Sequence, residues 1–315
     1  MTPDRSRPPS FQIRAAAASL VLSVGVALAA IPSTVQAEGL GAYTGSVGSF
    51  TNDAFSDGGD RWQTGSYQRS FFFERSGGDD ALMFELRGRG QIVSPWTGAF
   101  QPGGDRPYSS VLGIGLFAHR DFGSFEARFG GEVLVQGDQT GLPEFQAAVH
   151  DALGFDQAYD PTLNDPHLSD RVTGRGSFEL SRSFTLGEKA MLRPYGALAV
   201  GADEVATLGV DLVLGNMALP RRWVRDAVTG QVLSPDASSG FSLLAGIDGS
   251  YVRSSTHLSD ESDVRPENIQ TRIRLGVQGA IGPASVFFGQ AWLSEEFVGQ
   301  AEPQRVGTLS ISLAF

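Results

Sequence analysis

Apolar residues recur at every second position along most of this chain, and the positions between them carry charge of both signs. Phe125, Ala127, Phe129, Gly131, Val133 and Val135 alternate with Ser124, Glu126, Arg128, Gly130, Glu132 and Gln136, interrupted only by Leu134. Ile269, Thr271, Ile273, Leu275, Val277 and Ile281 alternate with Gln270, Arg272, Arg274 and Gln278. Leu82, Phe84, Leu86 and Ile92 alternate with Glu85, Arg87, Arg89 and Gln91. A period of two is the signature of a strand, whose successive side chains point to opposite faces. In a soluble sandwich the charged parity would face water and the apolar parity a core. Glu and Arg together on one parity, strand after strand, suit a polar lumen filled by ion pairs with lipid outside. Glu85, Arg87, Arg89, Arg272 and Arg274 are accordingly read as luminal salt bridges.

The ends of the chain agree with that reading. Leu309, Ile311, Leu313 and Phe315 share one parity of the last segment, opposite Thr308, Ser310, Ser312 and Ala314. A terminal strand closing on an aromatic resembles the sorting signal of outer-membrane barrels. At the other end, Arg5, Arg7 and Arg14 precede and open an Ala/Leu/Val-rich run from Ala15 to Ile31, and Val35-Gln36-Ala37 offers small residues for cleavage. That is the pattern of a secretory leader. The run is short of a spanning helix and dilute in large apolar side chains. Residues 1–37 are therefore assigned to a signal peptide and 38–315 to one domain, a barrel in the outer membrane of a Gram-negative cell. Its biogenesis implies the barrel assembly machinery as a partner. With no Cys, a disulfide scaffold is excluded, and a net charge of −11 argues against nucleic acid.

Twelve alternating segments can be counted, near 42–53, 64–74, 81–93, 107–119, 123–136, 173–185, 190–202, 205–216, 239–254, 268–281, 284–294 and 304–315. The expected fold is all-β: a twelve-stranded antiparallel transmembrane β-barrel with both termini in the periplasm. Outer loops then fall near 54–63, 94–106, 137–172, 203–204, 255–267 and 295–303. The third and longest holds a helical pattern, with Thr140 or Asp138 as cap, Pro143 in the first turn, and Gly154 as the stop. Phe145, Val149 and Leu153 share one face. The stretch 216–240 fits badly as a periplasmic turn, so it either holds local structure or hides a miscounted hairpin.

Candidate chemistry collects on the predicted outer rim. His150 follows Gln146 by four residues, which sets both on one face of the short helix. Asp156 follows the helix stop. Asn52-Asp53 ends the first strand, and Asp60-Arg61-Trp62-Gln63-Thr64-Gly65 opens the second. A histidine is the side chain best suited to act as a base near neutral pH, and carboxylates such as Asp53 and Asp156 are ligands of the type Ca²⁺ takes. Taken singly, each has a plainer reading: Asn52-Asp53 as a turn, Thr64 as a strand residue, His150 as a loop histidine. His119 falls at a predicted turn, and His257 on an outer loop, with no partner visible in the sequence. Asn164, Asp165 and His167 follow the helix.

The run Ser49-Phe50-Thr51-Asn52-Asp53, then Asp60-Arg61 with Thr64-Gly65, then Gly104-Asp105-Arg106-Pro107-Tyr108, then Gln146-x3-His150-x5-Asp156 resembles the lipid A 3-O-deacylase (LpxR-like) family of outer-membrane barrels. The resemblance implies Ca²⁺-dependent hydrolysis of an ester-linked acyl chain of lipopolysaccharide. It implies a catalytic group of His150, Asn52, Gln146 and Thr64, with Asp53 and Asp156 on the metal. No Ser-His-Asp spacing is evident, so a His-activated water is the simpler mechanism. The chain departs from the family pattern in three places. Asp156 stands where Glu is common, Trp62-Gln63-Thr64-Gly65 replaces a Tyr-Thr-x-Gly run, and Arg106 stands alone where some members carry a Lys-Arg pair for substrate phosphate. Two alternatives remain: a non-enzymatic barrel, as a narrow channel or structural protein with a decayed site, and an outer-membrane phospholipase, whose wall Ser beside a His cannot be located here.

Overall fold

The computed structural model describes residues 36–37, 39–56, 58, 61–75, 82–96, 105–153, 167–215, 223–236, 240–258 and 264–314. The leader before Gln36, Asp60, Gly104, Gly154, Asp156, Asn164, Asp165 and Phe315 lie outside the described residues. Twelve strands form the wall: β1 (Gly41–Asn52), β2 (Trp62–Arg75), β3 (Leu82–Ser94), β4 (Ser109–Phe122), β5 (Phe125–Gln136), β6 (Arg171–Arg182), β7 (Ala190–Gly201), β8 (Glu204–Gly215), β9 (Gly240–Ser254), β10 (Ile269–Ile281), β11 (Ala284–Leu293) and β12 (Gln304–Ala314). Each is antiparallel to the next, and β12 closes on β1 with Gly307 opposite Asn52 and Ala314 opposite Gly45. All twelve predicted segments are strands. No described helix is long and apolar enough to cross a membrane.

The two ends of the barrel differ. At the turn end, β4 and β5 are joined through Gly123 and Ser124, and β10 and β11 through Gly282 and Pro283. Gly123 (φ 64°) and Gly282 (φ 58°) take the left-handed backbone that two-residue hairpins favour. At the loop end, the third connection carries α1 (Leu142–Leu153).

Parity decides which side chains meet lipid. Ile114 (62% exposed), Val133 (50%), Leu208 (75%) and Ile273 (52%) stand on the outer face. The intervening charges turn inward and pair: Arg87 with Glu85 (2.6 Å), Arg89 with Glu132 (2.9 Å), and Arg272 with Asp248 (2.9 Å). Arg274 bridges Asp248 and Asp211. Desolvating such charges is costly, and only partners on several strands offset it, so the network favours the closed register. Leu134, the break in its segment's alternation, is fully buried among the inward side chains. His119 lies within β4 rather than at a turn, its Nε2 2.8 Å from Glu85 Oε2.

The awkward stretch between β8 and β9 holds local structure, and the strand count stands. Val224–Arg225 and Val232–Leu233 pair as a small hairpin, which enters the lumen. Val224 and Leu233 pack against Val47, Phe72, Leu244 and Phe287 of the wall. Val228, at the tip, meets Ala291, Leu293 and Val306. Asp226 accepts from Val228 N–H (3.2 Å) and Thr229 N–H (2.9 Å), which shapes the tip, and from Ser49 Oγ (2.8 Å), which fixes it to β1. The Arg225 guanidinium lies 3.6 Å from the Tyr195 ring centroid and pairs with Asp211 (3.0 Å) and Glu179 (3.1 Å). A cavity of about 250 Å³ remains above this plug, floored by Asp226, Ala227 and Val228 and bordered at the loop end by Gln63, Arg106, His257 and Glu296.

Candidate functional site

Strand parity places the candidate residues on two different sides of the wall. On β1, Ser49 and Thr51 turn inward to Asp226, so Asn52 falls on the outward parity. On β3, Glu85, Arg87 and Arg89 are luminal, so Ser94 is outward. On β4, outward Leu112 and Ile114 put Tyr108 on their side. Asn52, Ser94 and Tyr108 thus share the outer face of the wall at the loop end.

Thr64 reaches this group through an irregularity. The β2–β3 register shifts between Trp62 and Gly65, and Trp62 holds φ 53°, a left-handed conformation costly for a tryptophan. Its indole anchors that strain: it is fully buried against Leu258, Val264 and Phe297, and its Nε1–H donates to Asp105 Oδ1 at 3.2 Å. The bulge leaves both Gln63 and Thr64 buried. Gln63 turns to Gln91 (2.8 Å) and Glu296 (2.7 Å). The Thr64 hydroxyl meets the Ser94 hydroxyl, and the Thr64 carbonyl accepts from the Asn52 amide. Asn52 Oδ1 also accepts from Ala54 N–H (2.7 Å), capping the short 3-10 turn Asp53–Phe55. Asp53 is 1% exposed and its Oδ2 accepts from Arg61 N–H at 2.9 Å.

The helix supplies the opposite wall of the site. Thr140 Oγ1 accepts from Leu142 N–H (3.2 Å) and starts α1. Pro143, Gln146 and His150 form its buried face, while Phe145 is 55% exposed. Leu142 lies over Gly90 and beside Leu112 on the outside of the barrel, since a Cβ on Gly90 would touch both. Tyr108 Oη donates to Gln146 Oε1 at 2.8 Å. The pairing of Val93 with Ser109 runs on to set Ser94 beside Tyr108, so the Thr64–Ser94 and Tyr108–Gln146 pairs adjoin. Asn52 and Thr64 therefore stand at the loop end of the outer wall, Gln146 meets that wall through Tyr108, and His150 follows one turn further along the same buried helix face. The sequence did not mark Ser94, and it marked Tyr108 only as the end of the run from Gly104, with no role of its own. The outward parity of their strands was the available signal.

Arg106 goes elsewhere. Its guanidinium is 2% exposed and turns to Glu296 (2.6 Å) and the His257 carbonyl (3.4 Å). Burial lowers its proton affinity and Glu296 opposes the shift. That geometry ties loops together and leaves little of the side chain for a substrate phosphate. His257 has a partner after all: its Nδ1 lies 2.9 Å from Ser109 Oγ. Burial, with Arg106 and Arg89 pushing the same way, holds this imidazole well below the ordinary histidine range, so it stays neutral. His167 pairs with Asp138 at the surface (3.7 Å).

A hard divalent cation is compatible with the donors present. Asp53 is a buried carboxylate, a ligand of the class Ca²⁺ takes. Among the described residues no three His, Cys, Asp or Glu converge.

These features define a class: an outer-membrane β-barrel with a plugged lumen and a loop helix packed against its outer wall. The chain matches the family described as "Outer membrane protein LpxR" over residues 20–315, and it belongs to that family. Among solved structures, LpxR from Salmonella typhimurium is 16% identical with a TM-score of 0.69, over 86% of this chain and 100% of that one. The beta domain of the Bordetella autotransporter BrkA is 11% identical (TM-score 0.45; 87% of this chain, 99% of that one). The NalP translocator domain from Neisseria meningitidis is 10% identical (TM-score 0.39; 96% of this chain, 98% of that one). No curated protein matches the sequence significantly.

Proposed function

We propose that this barrel is a lipid A deacylase that hydrolyses a 3-O-linked acyl ester at the outer leaflet. The observation that carries the reading is the placement of Gln146 and His150. A loop helix buries this polar pair against the outer wall, where Asn52 and Thr64 also arrive, and leaves Phe145 exposed towards lipid. A lipid ester could enter such a cleft sideways from the membrane, with its acyl chains along the apolar wall.

In this mechanism His150 takes a proton from water as the water oxygen attacks the ester carbonyl. The tetrahedral intermediate collapses, the acyl product leaves as a fatty acid, and the imidazolium returns its proton to the sugar oxygen. Gln146 contributes polar contact on the same helix face. Asn52 and Thr64 shape the wall opposite, Asn52 by capping the turn that holds Asp53. A Ca²⁺ held by Asp53 and Asp156 would supply positive charge where the carbonyl oxygen becomes an oxyanion. Arg106 would serve substrate binding indirectly, by fixing the loop end.

Purified protein, freed of its leader near Glu38, should release fatty acid from lipid A in micelles. A calcium chelator should abolish release, and Ca²⁺ should restore it better than Mg²⁺, which demands near-octahedral coordination. Undiminished release in excess chelator would remove the metal from the mechanism. The channel alternative is disfavoured by one observation: the hairpin within 223–236 occupies the lumen.

A further inference from the structure

At the loop end of the barrel, Arg61 pairs with Glu302 (2.6 Å), Arg106 with Glu296 (2.6 Å) and Arg253 with Glu204 (2.9 Å). Arg305 differs. Among the described residues no carboxylate pairs with it; its Nη2 donates to the Ser56 carbonyl (3.2 Å), and its Nε is buried without a partner. Strand parity puts this arginine on the lipid side of the wall. Val306 meets the plug tip at Val228 and Thr308 meets Thr51 inside the lumen, so Arg305 points outward. Its cross-strand neighbour Trp292 is 42% exposed on the same face. Outward aromatics near a barrel rim mark the level where hydrocarbon gives way to headgroups. The candidate site is close by. Gly307 stands opposite Asn52, so Arg305 is one outward position beyond it, about 7 Å along the strand.

We infer that Arg305 is a substrate-binding residue that takes a phosphate of the lipid A headgroup from the lipid side of the wall. This rests on the deacylase reading and adds a headgroup contact that Arg106, turned inward to Glu296, does not supply. A guanidinium offers five N–H donors in a fixed fork that matches phosphate oxygens, and the Ser56 carbonyl engages one of them. A half-buried charge with no counter-ion is costly, and a phosphate arriving with the substrate offsets that cost. An ester and a phosphate on one sugar unit are about a ring's width apart. A sugar with its ester beside Asn52 and Thr64 therefore brings its phosphate within reach of an arginine one outward position away. The short turn Asp53–Phe55 lies over Gly307, where an added Cβ would strike Phe55, and this brings Ser56 to Arg305. A purely structural Arg305 would do no more than hold that turn.

The test uses full-length barrels folded in micelles with Ca²⁺, each variant checked for its heat-modifiable band. Lipid A is supplied bisphosphorylated and in each of its two monophosphorylated forms. Arg305→Gln should raise KM for the bisphosphorylated form about tenfold, the scale of one charge-assisted hydrogen bond, with kcat little changed. Arg305→Lys keeps the charge and should recover part of that loss. On the monophosphorylated form that lacks the contacted phosphate, wild type and Arg305→Gln should share one KM, which also identifies the phosphate. A residue that only held the turn would lower kcat on all three forms alike. That result, or a wild-type KM in Arg305→Gln, would overturn the assignment and leave the deacylase reading intact. Binding of bisphosphorylated lipid A to the His150→Ala barrel, read by tryptophan fluorescence, should weaken by the same factor when Arg305→Gln is added. If the wild-type barrel released no fatty acid while this binding still depended on Arg305, the deacylase reading would fall and the phosphate contact would stand. No release together with binding indifferent to Arg305 would overturn both.

Discussion

His150 and Gln146 form the buried side of a helix whose apolar Phe145 is exposed, the reverse of a helix packed on a soluble core. General-base assistance is typically worth ~10²–10⁴-fold. His150→Ala and His150→Asn should therefore lose at least about a hundredfold in fatty-acid release, with the barrel still folded, while His167→Ala keeps most activity. Arg106 yields a separate expectation. Arg106→Met takes the guanidinium from Glu296, which should destabilise the loop end by up to ~3 kcal/mol, below the full cost of a buried orphan because Glu296 is 21% exposed and keeps the Gln63 amide. Adding Glu296→Gln should recover most of that loss in denaturant midpoints. At this scale the sequence was informative about residue types and poor on direction. Gln146 and His150 were legible from their spacing of four. That Arg106 turns inward, and that Thr64 is delivered by a bulge at a left-handed Trp62, depends on partners far away in the chain.

At the scale of elements, the strands were legible because each alone carries the two-faced pattern the membrane imposes. The plug was not, because its two strands are two residues each, too short to show a period. Trp223, Val224, Val232 and Leu233 around Asp226 and Gly230 are its only local signal, and their burial depends on the lumen around them. Deleting 223–236 should convert a non-conducting barrel into one with measurable ion conductance in planar bilayers, whereas equal conductance before and after would mean the hairpin does not seal the lumen. The loop end should also respond to acid. His257 is held neutral in the folded state, so below its ordinary pKa, about 6.5, only the unfolded or opened state gains a proton. Stability of the cap should fall as pH drops through that range and be level above it. Hydrogen exchange in loops 255–258 and 105–109 should rise at pH 5 and rise less in His257→Asn.

For the whole molecule, the wall, the plug and the loop helix divide the work. The ion-paired lumen and its hairpin make a plugged cylinder, and the candidate residues Asn52 and Thr64 stand on its outer face. Parity alone implied a lumen and a lipid face, but not that the site would belong to the lipid face. That followed from Asn52, Ser94 and Tyr108 standing on the outward parity at one end, with α1 folded back over Gly90. The most direct test of the central claim is the lipid A mass spectrum of a Gram-negative host expressing the barrel or its His150→Ala variant at matched outer-membrane levels. The account predicts loss of one ester-linked acyl chain with the wild-type barrel and unmodified lipid A with the variant. Identical spectra from the two, with or without the mass loss, would contradict it.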